Sequence, residues 1–136
     1  MLQIYAQPKT IAVVGASAEA GKPAHDIPRY LQSQGYRIVP VNPRGGEILG
    51  ERAFPSLKDV DIPIDIVDVF RPPTEALAVA RDAVAGGAKV LWFQLGTDTD
   101  EAAGLAEEAG LTVVRRRCIG VTHGLLGLGP GPHQRD

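Results

Sequence analysis

The sequence has little cysteine, no long apolar run and no excess of charge of either sign, and each scarcity excludes a class of protein. Cys118 is the only cysteine among 136 residues, so no disulfide can form within the chain. No apolar stretch approaches the ~20 residues that a transmembrane helix needs. The opening stretch, MLQIYAQPKT, lacks the charged segment and apolar run of a secretory signal. We therefore expect a cytoplasmic protein without a membrane span.

The charge is nearly balanced, with 14 basic and 16 acidic side chains. A protein that binds nucleic acid or a membrane surface usually carries a basic stripe or block. The run Arg115–Arg117 is too short to form one, so we expect neither nucleic acid nor a membrane as a partner. Hydrophobic residues make up 44% of the chain, which is enough for an ordinary core. A chain of this length predicts one domain over residues 1–136.

Apolar, β-branched segments alternate with segments of helical periodicity. Strands are predicted at Ile11–Val14 and in the segments YRIVPV, DIVDVF, AKVLWFQ and LTVVRR. Helices are predicted in AHDIPRYLQSQG, RPPTEALAVARDAVAGG and GTDTDEAAGLAEEAG. The alternation predicts an α/β fold, a Rossmann-like doubly wound parallel sheet of five strands with helices on both faces. The expected strand order is 3-2-1-4-5.

Single residues predict where the helices begin and which side they bury. Pro28 fits only the first turn of a helix, so the first long helix is expected to begin close to Asp26. Asp98, with Glu101 three residues later, resembles a capping box and predicts the start of another helix. The inner stripe of the helix between these two is predicted to consist of Ala76, Leu77, Ala80 and Val84.

Two segments fall outside this alternation. Residues 42–63 form a long connection rich in Gly and Pro, with a short helical turn predicted at Ser56–Asp59. The segment after LTVVRR begins with a short predicted helix. Residues 121–136 then contain many Gly and Pro residues, and we expect a poorly ordered tail there.

In a doubly wound sheet, ligands bind outside the carboxyl ends of the strands, at the point where the strand order reverses. With the expected order, this point lies between the first and fourth strands. The residues that follow the first four strands are therefore the candidates for a binding site: Gly15, Ala16, Ser17, Lys22, Pro40, Val41, Asn42, Pro43, Arg44, Phe70, Arg71, Pro72, Gln94, Leu95 and Gly96.

The stretch GASAEAGK, residues 15–22, follows the first strand. A glycine-rich turn that leads into a helix offers backbone N–H groups and the positive end of a helix dipole, which suits a phosphate. The spacing differs from G-x-G-x-x-G, and Pro23 stands where a Walker A loop has Ser or Thr. Glu19 excludes a nucleophile elbow. We expect phosphate binding here; the alternative is a tight turn that binds nothing.

The stretch VPVNPR, residues 39–44, follows the second strand without the Asp or Glu that usually accepts the ribose hydroxyls of NAD. Pro40 cannot donate to a sheet ladder, so it is expected at the strand end. A rigid rim remains, which would seat an adenine ring or the chain of a ligand with Arg44 facing a phosphate, or would merely turn the polypeptide. The sequence leaves open whether Asn42 contacts the ligand or only shapes the turn.

The third and fourth strands are followed by FRPP and QLGTD. Phe70 and Pro72 would form one wall of a flat slot, with Arg71 paired to a phosphate. Gln94 would supply an amide, and Gly96 would let a ligand approach the backbone. The alternatives are a helix start with a solvated Arg71, and a helix cap after the fourth strand.

Other candidates for chemistry are weaker. Cys118 is either a thiol activated by neighbouring arginines or, as we prefer, a small buried hydrophobic residue. The three histidines show no metal-ligand spacing. The acidic pairs Asp65/Asp68 and Glu107/Glu108 are expected at strand or helix surfaces. No nucleophile–base–acid constellation is visible, so an enzyme is not expected.

Taken together, these stretches resemble the single-domain CoA-binding proteins, which are similar to the CoA-binding domain of succinyl-CoA synthetase α chains and of ADP-forming acyl-CoA synthetases. The resemblance covers nearly the whole chain from Ile11 to about Cys118. It is carried, in order, by VVGAS, Lys22, GYRIVPVNP, GERAFPSL, DIVDVFRPP, GAKVLWFQLG, EAAGLAEEAGLTVV and the pair Arg117–Cys118.

The resemblance implies coenzyme A or acyl-CoA as the ligand. It implies that the Gly15–Ser17 turn and the next helix hold the pyrophosphate, with Lys22 and the residues after VNP near phosphate. It further implies that Val41–Pro43 and Phe70–Pro72 border the adenosine, and that Gln94–Gly96 line the path of the pantetheine arm. CoA also explains the missing acid, since its 3′-phosphate calls for cations.

The expected function is CoA binding at the carboxyl ends of the strands without catalysis. The larger synthetases carry further domains that 136 residues cannot hold, and Arg116 stands where relatives often have an acid. The main alternative is an NAD(P)-binding oxidoreductase, or a subunit on the same fold, with Arg44 on a 2′-phosphate. An interaction subunit that only retains the fold, and a mixed disulfide between Cys118 and CoA, are further alternatives.

Overall fold

The predicted apolar segments form the strands of one parallel sheet. A computed structural model describes residues 2–6 and 9–129. Its strands are β1 Thr10–Val14, β2 Arg37–Val41, β3 Glu47–Ile48, β4 Glu51–Arg52, β5 Ile66–Val69, β6 Val90–Phe93 and β7 Thr112–Val114. Its helices are α1 Leu2–Tyr5, α2 Pro23–Ser33, α3 Ala76–Ala85, α4 Asp100–Glu108 and α5 Ile119–Leu125, with 3₁₀ turns at Leu57–Asp59 and Pro73–Glu75.

The main sheet has five parallel strands in the order β2-β1-β5-β6-β7. The predicted class, a Rossmann-like doubly wound α/β fold, is confirmed. In the expected order 3-2-1-4-5, however, the third strand was misplaced: β5 pairs with β1, with Ile66 opposite Ile11, so the sheet reads 2-1-3-4-5. The expected order would put β2 inside the sheet, although Pro40 has no N–H for a second neighbour, which suits an edge strand.

Helices cover both faces of the sheet. Helices α3 and α4 pack on one face and α1, α2 and α5 on the other, where Trp92 and Tyr5 are among the largest fully buried side chains. From β1 the chain passes through α2 to β2, at one edge of the sheet. From β5 it passes through α3 and α4 to β7, at the other edge. Since crossovers between parallel strands are right-handed, this reversal of direction puts α2 on the opposite face from α3 and α4.

Helix α2 begins earlier than expected and keeps a proline inside it. It starts at Pro23, which takes the first helical position, and Pro28 lies within it. A residue at position 28 would normally donate its N–H to the carbonyl of Ala24, and proline cannot. That carbonyl instead accepts the N–H of Ser17 at 3.1 Å. The loop before the helix therefore satisfies the group that the proline leaves open.

Three other boundaries differ from the expectations. Helix α4 is capped by Thr99, whose hydroxyl accepts the N–H of Ala102 at 3.1 Å, rather than by Asp98. The buried stripe of α3 is Ala76, Val79, Ala80 and Ala83. Residues 121–125, expected in a poorly ordered tail, complete α5, and its His123 is fully buried. Residues 126–129 follow the helix, and residues 130–136 of the predicted tail lie outside the described residues.

Two small elements had no counterpart in the predictions. The antiparallel pair β3–β4 lies inside the long connection, whose predicted helical turn is confirmed at Leu57–Asp59. Helix α1 buries Tyr5, whose hydroxyl donates to the carbonyl of Ile119 at 2.8 Å and so ties the start of the chain to α5. No helix in residues 2–6 or 9–129 is long and apolar enough to cross a bilayer.

Candidate functional site

The switch point of this sheet lies between β1 and β5, not between the first and fourth strands as expected. Gly15 follows β1 there with φ +92°. A Cβ added at Gly15 would lie 2.8 Å from Cδ of Arg71 and 3.2 Å from the carbonyl carbon of Phe70. Both the backbone conformation and the close approach of the two loops therefore require glycine.

The turn after β1 is tied to neighbouring backbone. The N–H groups of Gly15 and Ala16 donate to the carbonyl of Val41, at 3.0 and 3.2 Å, and that of Ser17 donates to Ala24. These three N–H groups, which we expected to meet a pyrophosphate, thus donate to the protein itself. The turn is rigid, and the exposed part of the loop is residues 18–22.

Asn42 joins the loops that follow β1 and β2. Its side-chain amide donates to the carbonyl of Ala16 at 2.8 Å, while its side-chain oxygen accepts the N–H of Arg44 at 2.8 Å. Its own carbonyl accepts the N–H of Gly45 at 2.8 Å. Asn42 therefore shapes the turn and holds it against the neighbouring loop, and its contact with a ligand stays a prediction.

A polar groove of ≈ 580 Å³ opens at this edge of the sheet. Lys22, Arg44 and Arg71 supply its cations, and Glu19 and Glu47 its acids. Its lining consists of residues 15–19, 22, 24, 42, 44–48 and 71. Lys22 Nζ lies 2.9 Å from Glu19 Oε2, and both side chains are well exposed. An anion in the groove would compete with Glu19 for that lysine.

Loop 18–22 is held in place by Asp26. One oxygen of Asp26 accepts the N–H of Gly21 at 3.1 Å and lies 3.0 Å from Nδ1 of His25. These hydrogen bonds to His25 and then to Gly21 hold the pKa of the Asp26 carboxyl below its usual value. The first turn of α2 therefore fixes the position of the loop that carries Lys22.

An apolar pocket of ≈ 180 Å³ adjoins the groove. Gly15 and Arg71 line both cavities. The rest of the pocket comes from the ends of β1 and β2, from the connection and from α3: Val14, Val41, Pro43, Pro55, Ser56, Leu57, Glu75, Ala78, Val79 and Asp82. Taken together, the two cavities offer cations on one side and a mostly apolar surface on the other.

Arg71 stands at the border of the two cavities and is paired with Glu75. Its Nε lies 3.2 and 3.1 Å from the two oxygens of Glu75, and its Nη2 lies 2.7 Å from Oε2. The hydrogen bonds that Arg71 donates to Glu75 raise the pKa of Arg71, so the guanidinium stays charged. The two residues are four apart, a spacing at which opposite charges meet along a helical turn.

The structure brings most of the predicted site residues together. The groove contains Gly15, Ala16, Ser17, Lys22, Asn42, Arg44 and Arg71, and the pocket adds Val41 and Pro43. Pro40, predicted as part of the rim, lies within β2 instead, and its carbonyl accepts the N–H of Phe54 at 2.9 Å. Phe70 packs partly against the core on the α2 face, and Pro72 is exposed before the 3₁₀ turn.

The three candidates after β6 lie apart from the described linings of both cavities. Gln94 is buried, and its side-chain oxygen accepts the N–H of Ile119 at 2.9 Å, so it positions α5. Leu95 is 67% exposed, and Gly96 has φ +77° in the same turn. The groove as it stands is built from the loops after β1, β2 and β5.

Several lining residues were not among the candidates predicted from the sequence. The hairpin contributes Glu47 and Ile48, and no periodic pattern marks strands of two residues. Glu75 lines the pocket, and its spacing of four from Arg71 was a readable signal. Asp82 and Val79 of α3 also line it, because the second turn of that helix reaches the pocket.

Asp68 contradicts the expectation that it lies at a surface. It is fully buried in β5, opposite Val13 and Trp92, and neither carboxyl oxygen has a hydrogen-bond partner among the described residues. Burial raises the pKa of its carboxyl well above the ordinary value, since a charged carboxylate is poorly solvated there. Glu107 and Glu108 are exposed as expected.

A buried polar cluster holds α5 against α2. The hydroxyl of Tyr30 and Nδ1 of His123 lie 2.7 Å apart, and the rings of Tyr5, Tyr30 and Tyr36 surround the imidazole edge-on at 5.3–5.8 Å. Cys118, at the start of α5, is half-buried. The cluster explains why α5 is ordered where a loose tail was expected.

A doubly wound parallel sheet with a cation-lined groove at its switch point defines an α/β domain of the nucleotide-binding type. Comparison with known families makes this assignment specific. The family described as "CoA binding domain" matches residues 9–124. The chain belongs to this family of CoA-binding domains, as the sequence resemblance implied, and the comparisons do not favour the NAD(P) alternative.

The similar proteins are of two sizes. The protein YneT of Bacillus subtilis is 41% identical over 121 residues, which are 89% of this chain and 90% of YneT. The structure of cell-free ID.343 from Thermus thermophilus has a TM-score of 0.87 at 44% identity and covers 91% of this chain and 94% of that one. The ADP-forming acetate–CoA ligase II of Archaeoglobus fulgidus is 33% identical over 84 residues, 60% of this chain but only 12% of the ligase.

Proposed function

We propose that this domain binds coenzyme A or an acyl-CoA in the groove and pocket at the carboxyl ends of β1, β2 and β5. One observation carries the proposal: the switch point joins a groove with three cations to a mostly apolar pocket. The nucleotide half of CoA has the same division, with a flat ring at one end and phosphates beside it. Membership of the CoA-binding domain family supports this ligand.

In this proposal the ring lies in the pocket and the phosphates lie in the groove. Val41 and Pro43 offer the ring a rigid, largely apolar wall. Lys22 and Arg44 are exposed and carry no burial cost, so they can turn towards the 3′-phosphate and the pyrophosphate. Because the N–H groups of Gly15–Ser17 already donate within the protein, the cations of the groove are the better donors for phosphate.

The pantetheine arm would leave the groove towards the turn after β6. Leu95 and Gly96 are exposed there, and Gln94 holds that turn against α5. This path remains a prediction from the family resemblance. It places the thiol end of the ligand away from the charged groove, on the side where Cys118 directly precedes α5.

We also propose that the domain binds or presents CoA rather than transforming it. The charged side chains that line the groove are three cations and two acids, of which Glu19 pairs with Lys22. Cations of this kind neutralise phosphate. The ligase of Archaeoglobus fulgidus, by its name, joins acetate to CoA and is far longer than this chain. In this proposal, any such chemistry would need a separate partner.

Calorimetric titration with CoA, NADP and ATP in parallel tests the proposal. We expect CoA to bind with a measurable heat and more tightly than the other two nucleotides. Binding of NADP without binding of CoA would refute the proposal and favour the oxidoreductase alternative. A titration of the Cys118→Ser variant separates affinity from disulfide exchange: equal affinity for CoA shows that the thiol is not needed for binding.

A further inference from the structure

Arg71 lies where the groove and the pocket meet, and its side chain has two structural roles there. Its aliphatic stem covers Gly15, since a Cβ added there would lie 2.8 Å from Cδ and 3.1 Å from Cγ of Arg71. Arg71 lines both the polar groove and the apolar pocket. The side chain is therefore a partition between the two cavities.

Glu75 keeps the partition in place and neutralises it. Both of its oxygens contact the guanidinium, through Nε and Nη2 at 2.7–3.2 Å. Glu75 itself lines the pocket and precedes the first residue of α3. A bidentate pair fixes the plane of the guanidinium as well as its position. As a result, the border of the two cavities carries an ion pair instead of an open cation.

We propose that Glu75 is a positioning residue that sets ligand specificity by holding Arg71 between the groove and the pocket. This inference rests on the function proposed above. With Arg71 held by Glu75, the pocket admits a neutral ring, and phosphates are directed to Lys22 and Arg44 in the groove. The acid also weakens the attraction of the whole site for phosphate, since it pairs with Arg71 as Glu19 pairs with Lys22.

Replacing Glu75 by Gln keeps the size of the side chain and removes its charge. Arg71 then becomes available to a ligand phosphate. Exposed ion pairs are worth ~0.2–1 kcal/mol, so we expect about a 1.4- to fivefold lower Kd for adenosine 3′,5′-bisphosphate. Adenosine has no phosphate, and its Kd is expected to equal that of the unaltered protein. The ratio of the two constants is the measured quantity.

Two further variants separate specificity from a structural role. In the double variant Glu75→Gln with Arg71→Gln, the gain in bisphosphate affinity should disappear. Asp100→Asn removes one partner of Arg115, an exposed contact of 2.7 Å outside the groove and the pocket. This control should leave the ratio unchanged. Thermal unfolding of each variant checks that it is folded.

The outcomes distinguish the two proposals. An unchanged ratio in Glu75→Gln, or a gain that persists without Arg71, would overturn the role of Glu75 while leaving CoA binding intact. If the unaltered protein binds neither CoA nor the bisphosphate, the proposed function fails and this inference fails with it. A ratio that rises with Glu75→Gln and returns with the double variant supports the assignment.

Discussion

Removing the side chain of Asn42 should destabilise the protein and loosen the site at the same time. Asn42 makes two side-chain hydrogen bonds of 2.8 Å, one to the loop after β1 and one within its own turn. Each is worth about 0.5–1.5 kcal/mol in a typical protein. Because the residue is only half-buried, water can replace part of this, and we expect Asn42→Ala to cost about 1–2 kcal/mol.

Urea denaturation at constant pH measures this cost, and thermal unfolding should show a loss of roughly 3–8 °C for a domain of this size. Asn42→Asp is the matched variant, since it keeps an acceptor for the N–H of Arg44 but places a carboxylate against the carbonyl of Ala16. We expect it to be at least as destabilising as Asn42→Ala. If Asn42→Ala unfolds at the same urea concentration and with the same slope as the unaltered protein, the two hydrogen bonds do not join the loops as described.

Three other changes have expected outcomes. Gly15→Ala should cost about 1–3 kcal/mol, and more than Gly21→Ala, because both have positive φ but only position 15 meets neighbouring atoms within 4 Å. Asp68→Asn should be more stable than the unaltered protein at about pH 8 and differ less from it at about pH 4.5. Burial raises the pKa of Asp68 in the folded state above its pKa in the unfolded state. The free energy of unfolding is therefore greatest when the pH is below the unfolded-state pKa, and it falls as the pH rises towards the folded-state pKa. Lys22→Ala with Arg44→Ala should weaken binding of CoA about threefold more than binding of dephospho-CoA.

Each of these predictions has a contrary result. Equal urea midpoints for the two glycine variants would remove the packing argument at the switch point. Stability curves for Asp68→Asn and the unaltered protein that run parallel between about pH 4.5 and 8 would show that the carboxyl is not the group that titrates. Equal losses for CoA and dephospho-CoA would show that Lys22 and Arg44 do not face the 3′-phosphate.

The fold class could be predicted from the sequence because apolar segments alternate with segments of helical periodicity. The strand order could not be predicted in this way. The order depends on which strand tolerates an edge, and Pro40 within β2 was the available sign. The early start of α2 depends on a tertiary hydrogen bond. The N–H of Ser17 donates to the carbonyl of Ala24, which Pro28 cannot use because it has no N–H. Tertiary contacts of this kind leave no local pattern in the sequence.

The site was readable where it directly follows strands, since their carboxyl ends meet at one edge. The loop after β1 and the stretch from Val41 to Arg44 lie together along the two cavities. Gln94 lies outside both linings, and its side-chain oxygen accepts the N–H of Ile119, because the docking of α5 leaves no local pattern in the sequence; its contact with a ligand stays a prediction. The expectation for Asp68 was wrong, since an acid in an apolar strand predicts a surface position, yet this one is buried.

Three residues of the stretch VPVNP, Val41–Pro43, line the two cavities, and the structure shows how Asn42 is used. The missing acid of this stretch pointed to CoA in place of NAD, and membership of the CoA-binding domain family agrees. Val41 and Pro43 line the apolar pocket, while Asn42 holds the loops after β1 and β2 together. The rim is therefore rigid because its asparagine is used by the protein itself.

The central claim is that CoA binds where the loops after β1, β2 and β5 meet. Titrating the ¹⁵N-labelled chain with CoA and following the backbone amide resonances tests it most directly. We expect the largest shifts at residues 15–22, 42–48 and 70–75, and small ones along α4. Shifts centred on α4, or no shifts at a high excess of CoA, would contradict the account.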